Sequence, residues 1–221
     1  SYMDIRKTAT LLINFTFKRI AEIFGLIVSI SGILLLSALL SYSPEDPNFI
    51  FPDKSEIKNI FGFQGSFISD LFFQSIGLVS YLISLTLIIT GINIFRLKEF
   101  FLIIENIFFT IIYSIIGAVF LSHFYSNAFT LYINGNGGFI GNYFDQTFLK
   151  SLISINEGIF YYILIFLTFS LFLISINFKP KKFNEIIKKL LIIFSKKEEK
   201  NYTDKNEIIK EYIPQEEIKN L

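Results

Sequence analysis

The chain of 221 residues has no cysteine and a single histidine, His123. The first absence excludes disulfides, thiolate metal sites and cysteine nucleophiles. The second leaves too few ligands for a zinc site and too little for a histidine-centred triad. Charge is scarce as well: 18% of residues are Asp, Glu, Lys or Arg, against roughly 25% in ordinary globular chains. The formal net charge of +1 points to no partner. What fills the space is apolar. Hydrophobic residues make up 52%, Phe alone occurs 28 times, and the mean hydropathy is +0.54. A soluble domain has no place for that much apolar surface, so the excess belongs in a bilayer.

Four stretches are long and apolar enough to cross a hydrocarbon core of roughly 30 Å: Ile20–Leu40, Leu71–Phe95, Phe100–Leu121 and Ile159–Phe178. The sequence therefore predicts an all-α polytopic membrane protein with four transmembrane helices. Its membrane domain covers 20–178, preceded by an arm over 1–19 and followed by a juxtamembrane segment and linker over 179–221. Basic residues set the orientation. Thirteen flank one side (Arg6, Lys7, Lys18, Arg19, Arg96, Lys98, Lys179, Lys181, Lys182, Lys188, Lys189, Lys196 and Lys197). Three flank the other (Lys54, Lys58 and Lys150). Both termini are accordingly expected in the cytoplasm, with loops 41–70 and 122–158 outside and a tight cytoplasmic turn at Arg96–Glu99. The first span outruns a signal-peptide core and reads as an anchor.

Small residues mark the faces by which these helices meet. They are Gly25, Ser29 and Gly32 on the first span, Gly77, Ser80 and Ser84 on the second, and Ser114 and Ala118 on the third. The fourth, rich in Phe, Ile and Leu, is expected to face lipid or a neighbouring subunit. Residues 183–194 form a surface-lying amphipathic helix, with Phe183, Ile186, Ile187, Leu190 and Ile193 toward the lipid. Beyond Lys196 the chain is rich in Lys, Glu and Asn and is expected to be solvated.

Candidate chemistry is thin. Glu105, inside the third span, is the one residue that a proton or ion pathway would use. It stands near the cytoplasmic end, within reach of Arg96 or Lys98. Glu22 is four residues from Lys18, a spacing suited to a helix-surface pair. His123 has no companion ligand in the sequence, so no metal site is expected. The glycines between Gly135 and Gly141 do not fit G-x-G-x-x-G and precede no Lys-Ser/Thr, so they form turns and not a phosphate loop. No catalytic, cofactor-binding or metal residue is expected.

The loops carry more. The first span runs into Ser41-Tyr42-Ser43-Pro44-Glu45-Asp46-Pro47. Next comes Asn59-Ile60-Phe61-Gly62-Phe63-Gln64-Gly65-Ser66, then Asp70 and Gly77 at the second span, and later Gly137-Gly138-Phe139-Ile140-Gly141. In order and in spacing from the spans, these segments resemble the N-terminal membrane domain of the FtsK/SpoIIIE family of bacterial DNA translocases over roughly Lys18–Phe178. The residues that match the family motif are Ser41, Tyr42, Pro44, Asp46, Pro47, Asn59, Gly62, Gly65, Asp70, Gly77, Gly137, Gly138 and Gly141. Each is expected to shape a loop or contact a partner. Locally, Pro44 and Pro47 stop the first helix. Ser66 is placed to cap the next helix, with Asp70 in its first turn.

The resemblance implies a membrane anchor at the division septum of a bacterial inner membrane. It further implies division-site membrane proteins as partners and a hexameric motor that pumps DNA with ATP and Mg²⁺. The chain departs from the full family pattern in lacking G-x-x-x-x-G-K-[ST], so no ATPase activity is expected of it. The expectation is a fragment of a longer protein; a gene encoding the anchor alone is the other reading. A transporter or channel subunit using Glu105, and a motor-less membrane scaffold, are the rival functions.

Overall fold

The computed structural model describes residues 2–47, 56–126 and 134–193, and these are helical with no β-strand among them. The helices are α1 (Tyr2–Leu40), α2 (Gly62–Ile76), α3 (Ser80–Leu97), α4 (Leu102–Phe124), α5 (Gly138–Phe144), α6 (Lys150–Ile155) and α7 (Glu157–Ser175), followed by α8 over 180–193. Helix is the obligatory choice here. Lipid offers no partners for N–H and C=O groups, so each spanning segment must satisfy its own.

Four segments are long and apolar enough to cross a membrane: Asp4–Leu40, Gly62–Leu97, Leu102–Phe124 and Glu157–Ser175. They correspond to the four expected spans, with two differences of shape. First, the arm over 1–19 is not separate from the first span, because α1 runs unbroken for 39 residues. At about 1.5 Å per residue that is nearly twice the hydrocarbon thickness. Second, the second crossing is two helices joined by a 3₁₀ turn at Gly77–Val79. Gly77 adopts φ +65°, a conformation open to glycine at little cost.

The body over residues 1–177 is organised as two helix pairs: α1 packs along α3, and α4 along α7. Small residues set the first contact. A Cβ on Gly25 would stand 2.6 Å from the carbonyl oxygen of Gly91 and from the amide nitrogen of Phe95, and one on Gly32 would meet Ile88 and Leu87. Gly91 in turn lies against the backbone of Ser29. Only hydrogen fits at this crossing. On the other side, Val79, Tyr113 and Phe172 form a cluster, with the Tyr113 and Phe172 rings edge to face at 5.8 Å. α7 leaves most of its surface outward. α3 and α4 are joined by the tight turn after Leu97, where Lys98 takes φ +58° and donates its N–H to Ile94 O at 2.8 Å.

Polar side chains cross-link the interior. Thr86 Oγ1 lies 2.8 Å from Tyr113 Oη and 3.1 Å from Ser175 Oγ. One turn along α3, Thr90 Oγ1 accepts from Asn106 Nδ2 at 2.9 Å, and the same amide donates to Asn177 Oδ1 at 2.8 Å. Asn93 Nδ2 donates to Ile176 O at 3.1 Å. One face of α3 thus carries donors and acceptors at 86, 90 and 93 that fasten α4 and the end of α7.

The second body, residues 178–221, holds α8. Its Phe183, Ile186, Ile187, Leu190 and Ile193 are exposed. At helical spacing they occupy one face, with Lys181 and Lys188 opposite it and Lys182 and Lys189 along its edge. Phe194 lies outside the described residues.

Candidate functional site

The motif segments, spread from Ser41 to Gly141 in the chain, meet where α1 ends. Ser41 Oγ donates to Ser37 O at 2.8 Å and accepts from Ile60 N at 3.3 Å. Asp46 is buried, and its carboxylate caps two successive amides: Lys58 N donates to Oδ1 at 2.8 Å and Asn59 N to Oδ2 at 2.9 Å. Asn59, also buried, carries the link onward. Its Nδ2 donates to Ala38 O at 2.9 Å, in the last turn of α1, and to Ser69 Oγ at 3.4 Å on α2; its Oδ1 accepts from Phe61 N at 3.1 Å. A Cβ on Gly65 would collide with that amide. Gly62 takes φ +63° as the chain enters α2, its N–H donating to Asn59 O at 2.9 Å. Pro47 contributes its carbonyl, which accepts from Ser66 Oγ at 2.8 Å. Pro44 is exposed in the turn and takes no part in this network.

Two local expectations are corrected. Ser66 does not cap a helix, and Asp70 is not in a first turn. α2 starts earlier, at Gly62, because Asn59 and Asp46 already satisfy the amides around its start. Ser66 and Asp70 are instead mid-helix, on the buried face. Asp70 Oδ1 accepts from Tyr42 Oη at 3.2 Å and from Gln74 Nε2 at 3.4 Å. Tyr42 also sets its ring edge to face against Phe73, centroids 4.8 Å apart.

The second half of the site is built on glycines. Gly77 abuts the backbone carbonyl of Asn136, so closely that no side chain fits, and Leu78 N donates to that oxygen at 2.9 Å. Gly138, with φ +64°, presses against Ile76 and Gly77 backbone. Gly137 and Gly141 both lie on Ala118 O and Ser122 of α4. The glycine segment is thus wedged between α2 and α4. Gln74 joins the two halves: Asn134 donates its N–H to Gln74 Oε1 at 3.3 Å and its Nδ2 to the same oxygen at 3.2 Å. The path Tyr42–Asp70–Gln74–Asn134 therefore crosses the whole end of the bundle.

Sequence reasoning missed Asn136, Asn134, Gln74 and Ser122. Asn136 is fully buried, with its Nδ2 donating to Tyr125 O. An Asn directly ahead of two glycines was a signal available for it.

At the exposed rim, Glu45 pairs with Lys58. The hydrogen bond from the Lys58 ammonium, with its charge, holds the Glu45 carboxyl below the usual carboxylate range, and the same pairing raises Lys58. His123, expected to have no companion, has two. Its Nδ1 lies 2.7 Å from Asp145 Oδ1 and its Nε2 3.8 Å from Glu157 Oε1. Those carboxylates come from the π-turn at Asp145–Leu149 and the first turn of α7, 22 and more residues along, where no short-range pattern could reveal them. No group of three such side chains among the described residues could hold a metal.

Midway along α1, Glu22 pairs with Arg19 at 2.6 Å and with Lys98 at 3.2 Å, not with Lys18. Lys98 sits in the turn between α3 and α4, so the pair ties that turn to α1. Glu105 is exposed in the first turn of α4 and pairs with neither Arg96 nor Lys98. It lines a cavity of 600 Å³ together with Lys18 and Lys98.

Residues 17–183 match the family described as the 4TM region of DNA translocase FtsK/SpoIIIE. The chain belongs to this family. It is 25% identical over 170 residues to a DNA translocase FtsK of Rickettsia bellii, an overlap of 77% of this chain and 22% of that protein. Against the DNA translocase FtsK of Rickettsia prowazekii the identity is 27% over 160 residues, 72% of this chain and 20% of the relative. A Rhizobium meliloti DNA translocase FtsK is 30% identical over 78 residues, 35% of this chain and 9% of that one. The chain thus spans about a fifth of the length of the first two relatives. No solved structure matches. All thirteen motif residues fall inside the matched range.

Proposed function

We propose that this chain is the membrane anchor of a cell-division DNA translocase. Its part is to hold the protein at the division septum of a bacterial inner membrane and to support septum assembly. In the full-length protein the anchor is coupled to a hexameric motor that moves chromosomal DNA with ATP and Mg²⁺. DNA contact and nucleotide binding belong to that motor, and division-site membrane proteins are the partners of the anchor. Both termini lie in the cytoplasm, and the motif-bearing cap faces outward, as the basic asymmetry requires. The observation that carries this reading is the family match over 17–183. The geometry supports it: the motif residues other than Pro44 are spent on one closely packed, hydrogen-bonded cap, a built surface and not a reaction centre. The position of Glu105 in a first turn, exposed beside two lysines, gives a transport route no support.

A fusion of residues 1–221 to a fluorescent protein is expected to collect at mid-cell in dividing bacteria. Uniform membrane fluorescence would reject the division-anchor reading and favour a generic scaffold.

A further inference from the structure

Asp70 is 7% exposed, yet its charge is not answered. Both of its hydrogen bonds reach Oδ1, and at 3.2 and 3.4 Å they are long for a carboxylate acceptor. Oδ2 takes no bond from a described residue, and no described cation pairs with the group. Oδ2 is not sealed inside the protein, and the groove that Asp70 lines is the way to it; a carboxylate in apolar surroundings is costly unless a donor or cation meets it.

This carboxylate lines a groove of 430 Å³ between α2 and α5. The walls are apolar, with Leu71 and Phe139 both more than half exposed. Gln74 and Asn134 stand beside Asp70 on the lining. The groove is level with Tyr42, two residues past the end of α1, and so lies at the edge of the apolar bundle. A ligand that fits must be apolar along its body and cationic at one point.

We propose that this groove docks the membrane segment of a partner protein, with a Lys or Arg at the segment's end paired to Asp70. Long basic side chains suit the place, because they lay their methylenes on apolar walls while the charged head reaches a polar group. Charge complementarity fixes the register, and Leu71 and Phe139 supply the contact area. The proposal concerns the surface alone and stands apart from the division-site reading; either can fail without the other.

The test uses the full 221-residue chain in phosphatidylglycerol nanodiscs. The probe is a fluorescent synthetic helix of about 20 Leu and Ala residues ending in one Lys, compared with the same helix ending in Gln. The Lys helix is expected to bind about tenfold or more tighter. Asp70→Asn should bring the two to equality. Gln74→Lys, which sets an ammonium four residues from Asp70 on the same helix face, should do the same by internal pairing. It covers the case in which the Asp70 variant fails to fold. Phe139→Ser should weaken both helices alike. Equal binding of the two helices to the unmodified chain would overturn the proposal, as would a Lys preference that survives both charge variants. So would a preference that disappears in phosphatidylethanolamine nanodiscs, since the groove would then belong to a lipid ammonium headgroup.

Discussion

At the scale of single residues, Asp46 and Asn59 do for the stretch before α2 what a strand would do in a soluble protein: they accept the amides of Lys58, Asn59 and Phe61. Asp46 spends both carboxylate oxygens on successive backbone N–H groups, and Asn59 spends its amide on α1, α2 and its own turn. Asn59→Ala removes the amide donor to Ala38 O and the acceptor of Phe61 N from a buried position, and is expected to cost about 1–3 kcal/mol. Asp46→Asn keeps the shape but turns one acceptor into a donor facing an N–H, with a cost in the same range. Chemical denaturation in detergent measures both, and insertion into membranes should be unchanged. The Glu45–Lys58 pair behaves differently because it is exposed. The lowered Glu45 group stabilises the fold above its ordinary titration range and loses that contribution as pH falls through the lowered value. The raised Lys58 group contributes below its ordinary range and loses it as pH rises through the raised value. The stability difference between wild type and Glu45→Gln should therefore be small at neutral pH and vanish in acid. A difference that grows on acidification would reject the pairing.

Between elements, two kinds of contact hold the body together, and they were not equally legible. The glycines at 25 and 32 mark the α1 face in the sequence, and the structure uses that face. Gly91, the residue that Gly25 meets, carries no such mark, because a lone glycine in an apolar run reads as incidental. A Cβ at Gly25 has backbone atoms in its way, and backbone cannot move aside as a side chain can. Gly25→Val is expected to cost about 1–3 kcal/mol or more in the same denaturation assay. The hydrogen bonds from α3 were hidden for another reason. Thr86, Thr90 and Asn93 are scattered through a hydrophobic stretch, and their partners (Tyr113 and Ser175, Asn106, and the Ile176 carbonyl) stand up to 89 residues away. Hydropathy averages over such residues. In a membrane each of these bonds contributes about 0.6 kcal/mol on average. Thr86→Val, which severs two, should therefore cost about 1 kcal/mol. The kink at Gly77 was also missed as a kink: the run Leu71–Phe95 is continuously apolar, and only the carbonyl of Asn136 arriving from another loop explains why the helix breaks there.

For the whole molecule, apolar run length was enough to find four crossings, because lipid leaves helices no alternative. The motif residues were found by resemblance, but their joint purpose was not. Composition shows an Asp, an Asn and several glycines in loops. It does not show that these residues converge on one cap that closes the end of the bundle, nor that Gln74 and Asn134 bridge its halves. The orientation of that cap decides whether the proposed function, with outside partners for the cap and a motor on the cytoplasmic side, can hold. The chain has no cysteine, so single cysteines report orientation without background. With a membrane-impermeant maleimide applied to bacteria whose outer membrane has been made permeable, Glu56→Cys should be labelled in intact cells and Lys182→Cys only after lysis. Labelling of Lys182→Cys in intact cells with Glu56→Cys protected would place the cap in the cytoplasm and contradict the account.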